Sequence, residues 1–150
     1  MTKTTEQKFQ LHANFFFEIT VENLKDLFCT MGQDSSYWCH DIVVGEIKQD
    51  SAGCYILEDN HEYEGNCVWV KDLTLDTKIR IEDIEEDKHE LKVADVVKAI
   101  ENIVSGKTNL NTYDCGQVFE AFKDNDLGLI DASIADSILQ ITTYNTLVYG

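Results

Sequence analysis

Proline is absent from the 150 residues, and basic side chains are scarce: 12 Lys and Arg stand against 28 Asp and Glu, for a formal net charge of -16. With no proline, no repeat and no low-complexity tract, there is no linker at which to divide the chain. A single domain is expected, large enough at this length to bury roughly 68–70% of its unfolded surface. The shortage of basic groups argues against nucleic acid or an anionic membrane as a direct partner and for a protein with a basic surface, although acidity also serves solubility alone. No apolar run approaches the roughly 18 residues that a membrane helix needs. The five cysteines are odd in number and lack paired Cys-x-x-Cys spacing, which favours reduced thiols in a cytosol over a disulfide framework. Met1 to Gln10 has no apolar signal region and is expected to be a polar arm, leaving 11–150 as the domain.

Catalytic signatures are missing as well. There is no Gly-x-Ser-x-Gly, no P-loop and no Gly-x-Gly-x-x-Gly; Gly45, Gly53 and Gly65 are isolated turn glycines. Cys39, His40, Cys54, His61 and Cys67 are metal-ligand types, but their spacing matches no zinc pattern. The loop from Lys123 to Gly128 suggests a calcium site until it is aligned. With Gly128 at position six, Lys123 and Ile134 fall where carboxylates are required. Cys39 or Cys115 could meet His12 or His89 in space, a pairing that any chain with five cysteines and four histidines permits. No catalytic residue, cofactor or metal is therefore expected.

What the chain does contain is clearest at its close. Asp131 is a good N-cap, so a helix is expected from Ala132, with Ile134, Ala135, Ile138, Leu139 and Ile141 on its buried face. Asp136 and Gln140 are four apart and lie side by side on that helix, as a surface pair or a polar clamp. Asn145 can take the left-handed conformation that ends the helix, after which Leu147, Val148 and Tyr149 read as a short strand or docked tail.

This ending is similar to that of a family of small phage and prophage proteins common in Firmicutes genomes, which finish with an Asp, a Gln four residues later and Val-Tyr-Gly. Leu27 to His40 (LFCTMGQDSSYWCH) resembles the same family's helix, glycine-rich turn and Tyr-Trp, and Val93 to Val104 its middle helix. The chain departs from the pattern at Gln33-Asp34, where the family has Gly-Gly, and at Tyr144-Asn145, where it has Phe-Gly. The family has no established activity. The resemblance implies a diverged phage accessory protein, working in the cytosol of an infected bacterium on the host or its defences.

Taken in order, the aromatic run Phe9 to Thr20 suits a strand. Thr20 caps a helix carrying Leu24, Leu27, Phe28 and Met31, with Gly32 as its left-handed end. Trp38 either plugs the core, as large aromatics mostly do, or lines a pocket with its indole N–H turned to a ligand. Strand composition recurs at Ile42 to Ile47, Cys54 to Leu57 and Cys67 to Val70, with Glu58 to Gly65 read as a polar loop. Thr77 to Ile84 alternates as a half-buried strand. Amphipathic helices are expected over Ala94 to Val104 and Thr112 to Phe122. The order implies an α+β domain with an antiparallel or mixed sheet packed against helices and a docked C-terminal tail. Its expected core is Phe15, Phe17, Leu24, Leu27, Phe28, Trp38, Val68, Trp69, Ile79, Ile81, Val97, Ile100, Phe119, Ile134, Ile138 and Leu139.

Two functional expectations follow. Within Glu58 to Glu90 lie 12 acids against Lys71, Lys78, Arg80 and Lys88, so half of the net charge is concentrated there. Glu82, Asp83, Glu85, Glu86 and Asp87, with Glu58, Asp59, Glu62 and Glu64 on an adjacent loop, are expected to form one acidic face. Such a face would dock on a basic nucleic-acid groove of a host CRISPR effector or restriction enzyme, as a non-catalytic, DNA-mimicking inhibitor. Tyr37, Trp38, Asp136, Gln140 and Tyr149 are expected to act structurally, holding the tail to the domain. The alternative is that they line a pocket that sequesters a signalling nucleotide, for which cations are few. A homodimer stays open.

Overall fold

The structure, a computed structural model, describes residues 16–150. The expected arm over 1–10, and Phe15 of the expected core, lie outside the described residues. Each helix begins where a side chain can take up free backbone N–H groups. Helix α1 (Val21–Asp34) starts on a capping box in which Thr20 Oγ1 accepts from Asn23 N–H at 3.1 Å and Asn23 Oδ1 accepts from Thr20 N–H at 3.0 Å. Asp95 Oδ2 accepts from Lys92 N–H at the start of α2 (Val93–Val104), and Asn111 caps α3 (Thr112–Lys123). Asp131 caps α4 (Ala132–Tyr144) through Ile134 N–H at 2.8 Å, and Asn145, at φ 62°, ends it.

The five strands β1 (Cys39–Val44), β2 (His61–Glu64), β3 (Cys67–Val70), β4 (Lys78–Asp83) and β5 (Lys88–Lys92) form one mixed sheet in the order β2-β3-β1-β4-β5. Only the β1–β3 pair is parallel. The pleat separates two faces. Ile42 and Val44, Cys67 and Trp69, Ile79 and Ile81 join the main core with the buried faces of α1, α2 and α4. Val43 and Val68 point the other way into a smaller cluster closed by Ile47 and Tyr55. Helix α4 packs against both α1 and α2, which explains why apolar and polar residues alike are buried along it. The architecture is the single α+β domain expected, with helices on one side of the sheet.

Several local expectations change. Residues 16–20 form no strand; they run extended into the Thr20 cap, and Phe17 sets its ring edge-on to Phe119 at 5.2 Å. Around 54–57 there is only a single bridge, Gln49 to Tyr55, because this loop folds over the outer sheet face. The polar segment 58–65 contains β2, and the charged Lys88–Lys92 is β5, so both sheet edges are built from polar sequence. Phe17, Val97 and Phe119 are half-buried, whereas the other described members of the expected core are buried.

Gly32 does not end its helix in a left-handed turn. It sits inside α1, which crosses the β2–β3 turn so closely that a Cβ on Gly32 would lie 2.0 Å from the Glu64 carbonyl oxygen. A Cβ on Gly65, itself at φ +54°, would lie 1.9 Å from the Gly32 carbonyl oxygen. Both glycines are thus required by backbone-to-backbone contact. Gly65→Ala is expected to cost at least about 2 kcal/mol, from the left-handed backbone and the clash together, in urea denaturation monitored by circular dichroism.

Candidate functional site

Helix α1 gives way to β1 through a tight turn. Ser35 C=O accepts from the N–H groups of Trp38 (3.2 Å) and Cys39 (3.0 Å), and Ser35 Oγ bonds back to the Met31 carbonyl at 2.8 Å. The turn drives the Trp38 ring fully into the core and leaves Tyr37 about half exposed. Both meet α4. Trp38 Nε1 donates to Asp136 Oδ1 at 2.5 Å, and Tyr37 Oη donates to Asp136 Oδ2 at 2.6 Å. One turn further along the helix, Gln140 Nε2 donates to Asp136 Oδ2 (3.1 Å), to Tyr37 Oη (3.0 Å) and to the carbonyl of Tyr149 (3.1 Å). Gln140 Oε1 accepts from the N–H groups of Val148 (2.9 Å) and Tyr149 (2.8 Å). The Tyr149 ring stacks on Trp38 at 5.5 Å with 14° between planes. The structure therefore brings Tyr37, Trp38, Asp136, Gln140 and Tyr149 into one network, and the segment after α4 is a docked tail rather than a strand.

A second buried carboxylate lies beyond the same rings. Tyr144 packs against both Trp38 (5.7 Å) and Tyr149 (6.1 Å) and donates through Oη to Asp83 Oδ2 at 2.7 Å. His89 Nε2 lies 2.9 Å from the same oxygen, and Asp83 Oδ1 accepts from the N–H groups of Glu85 (2.9 Å) and Asp87 (3.1 Å). Burial pushes the Asp83 carboxyl up, but bonds from His89, Tyr144 and the two backbone N–H groups outweigh it and hold the group down at about 2. Both phenols move the other way. Burial, then donation to a carboxylate, raises Tyr37 (Asp136) and Tyr144 (Asp83) above the ordinary range, so each stays a protonated donor.

Asp83 corrects the expected acidic face: it is buried, and its carboxylate is spent inside the protein. The remaining acids do not share one face either. Glu62 and Glu64 pair with Trp69 and Cys67, which places them on the helix side of the sheet at its β2 edge. Glu82 lies on the opposite side between Asp41 and Lys88. Glu58 and Asp59 are exposed just before β2, separated from the β4–β5 turn by β3 and β1, so the loop is not adjacent. Glu85, Glu86 and Asp87 remain exposed together in that turn, with Glu86 at φ 63°.

That His89 and Tyr144 meet at Asp83 was not legible in the sequence, where His89 figured only as a partner for Cys39 or Cys115, since Asp83 is distant in sequence from Tyr144 and β5 did not read as a strand. The same holds for Tyr55, whose hydroxyl donates to Asp41 across the outer sheet face. The thiols of Cys39 and Cys67 are raised by burial, Cys39 to about 12, which suits packing and not nucleophilic attack. Among the described residues no group of three or more His, Cys, Asp or Glu is arranged to hold a metal ion, and no helix is long and apolar enough to cross a membrane. Comparison of the chain with protein-family models, curated proteins and solved structures finds no match.

A carboxylate held low in the folded state stabilises the protein above its unfolded pKa and loses that contribution as pH falls through its folded value. The stability difference between the protein and Asp83→Asn should therefore be largest above pH about 4 and shrink as pH falls toward about 2, in urea titrations at stepped pH. A difference that does not change with pH across that window would contradict the assignment.

Proposed function

We propose that this is a non-catalytic phage accessory protein that acts in the host cytosol by docking its acidic β4–β5 turn on the basic nucleic-acid groove of a defence nuclease. One observation carries the reading: the buried Asp83 carboxylate fixes the backbone of the turn, so Glu85, Glu86 and Asp87 are presented outward on a rigid tip. Pre-organised charge lowers the ordering cost of docking, and a net charge of -16 steers a basic partner toward it. The outer sheet face supports this less well, because Lys78, Arg80, Lys88 and Lys92 alternate there with Asp41, Glu82 and Glu90. Protonated phenols and thiols raised by burial favour binding over catalysis. A nucleotide-sequestering role has less support, since Tyr149 covers the ring of Trp38 and Asp136 takes its N–H.

The reading is tested by capture of partners from host lysate on the immobilised protein and on a Glu85→Lys, Glu86→Lys, Asp87→Lys variant. Capture should be lost in the variant and, for the unaltered protein, in about 0.5 M salt, where screening shortens the reach of surface charge to a few ångströms. Capture that survives both treatments would rule out the acidic turn as the contact.

A further inference from the structure

We propose that the face of Trp38 and the side-chain amide of Gln140 form a peptide-binding site that the chain's own segment 147–149 fills. From a partner, the site would take an extended segment carrying an aromatic ring between basic residues. The occupant already in place defines the chemistry. Gln140 reads main chain: its Oε1 accepts from the N–H groups of Val148 and Tyr149, and its Nε2 donates to the Tyr149 carbonyl. The Val148 side chain is 53% exposed and adds little to recognition. The side chain that the site reads is the Tyr149 ring, stacked on Trp38 and edged by Tyr144. An extended segment of another protein with a ring at that position can repeat every one of these contacts.

The surroundings select its flanks. Ile84 N–H bonds the Trp38 carbonyl at 2.8 Å, which places the exposed Glu85, Glu86 and Asp87 beside the site, and Asp34 bears on Tyr37 from the other end of the turn. Lys or Arg on either side of the ring would meet these carboxylates, whereas a phosphate-bearing ligand would be repelled by them. The tail is a tethered competitor at high effective concentration, hinged at Asn145 and held upstream by Asn109 Oδ1, which accepts from Leu147 N–H at 2.9 Å. A partner's apparent affinity is therefore its intrinsic affinity multiplied by the small fraction of molecules whose tail is lifted. Weakening the tail should strengthen the partner. The idea goes beyond the acidic-turn reading, because ring and main-chain recognition, not charge, define the site.

The test uses the full chain, unaltered and as Tyr149→Ala, titrated with acetyl-Lys-Leu-Val-Tyr-Gly-Lys-amide and followed by the NMR signal of the Trp38 indole N–H. Losing one stacked ring should tighten peptide binding about two- to tenfold in Tyr149→Ala. The same peptide with Ala for Tyr should bind neither protein. In the unaltered protein, saturating peptide should bring the amides of Val148 and Tyr149 into hydrogen exchange, a measurement that decides the matter alone if Tyr149→Ala does not fold. The proposal is overturned by absence of binding up to millimolar peptide, by binding that leaves the tail amides protected, or by AMP binding in the peptide's place. Reversal of Glu85, Glu86 and Asp87 to Lys should weaken binding of this Lys-flanked peptide but leave its dependence on the ring, which would support this site even if the acidic turn captures no partner; binding unchanged by the reversal would overturn the selection of basic flanks.

Discussion

A carboxylate and an amide buried four residues apart on α4 govern one end of the molecule. Asp136 and Gln140 are 5% and 1% exposed, so their polar atoms must be satisfied inside the protein, and burying a carboxylate is tolerable only when donors surround it. Three donors come from two directions: the indole of Trp38 and the phenol of Tyr37 from the α1–β1 turn, and the amide of Gln140 from the next helical turn. Gln140 then uses its remaining capacity on the tail. One pair of side chains thus ties the first helix, the last helix and the segment beyond it into a single corner. Each bond to the charged group is worth roughly 1.5–3 kcal/mol, and more is lost when a partner is removed and the charge stays buried.

Asp83 repeats the arrangement on the far side of the aromatic rings. Tyr144 contributes to both halves, since its ring packs on Trp38 and Tyr149 while its hydroxyl reaches Asp83. The consequence for binding is indirect. Asp83 withdraws its own charge from the surface but fixes the turn that carries Glu85, Glu86 and Asp87, trading one carboxylate for the rigidity of its neighbours. The same corner therefore joins the packed tail to the acidic tip, and both proposed contacts with other proteins lie within a few residues of Trp38.

Features set by local chemistry were legible in the sequence. The Asp131 cap, the isoleucine spacing of α4, the left-handed stop at Asn145 and the Thr20 cap all act over a single turn of chain. The alternation of β4 was equally clear, because one face of that strand is buried and the other exposed. What was hidden depends on strand register. The sequences HEYE and KHELK look like loops, since edge strands with little buried surface need no apolar alternation. Asp83 is indistinguishable from its acidic neighbours until β4 places it beside Ile81 on the helix side and β5 brings His89 to it. Gly32 resembled a helix end because its requirement comes from the Glu64 carbonyl in the β2–β3 turn, distant in sequence. The Asp136–Gln140 spacing was visible, but that its partners are Tyr37, Trp38 and the tail is a fact of tertiary packing.

The claim that this buried pair holds the corner together is tested most directly by hydrogen exchange on Gln140→Leu, which keeps the side chain's approximate bulk and removes its polar atoms. The account predicts that the amides of Val148 and Tyr149 lose protection by an order of magnitude or more, as expected for losing roughly 1.4 kcal/mol or more of local stability. The interior amides of α4 at Ile138 and Leu139 should remain protected. Tail amides that stay as slow to exchange as in the unaltered protein would contradict it, and would mean that the ring stack alone secures the tail.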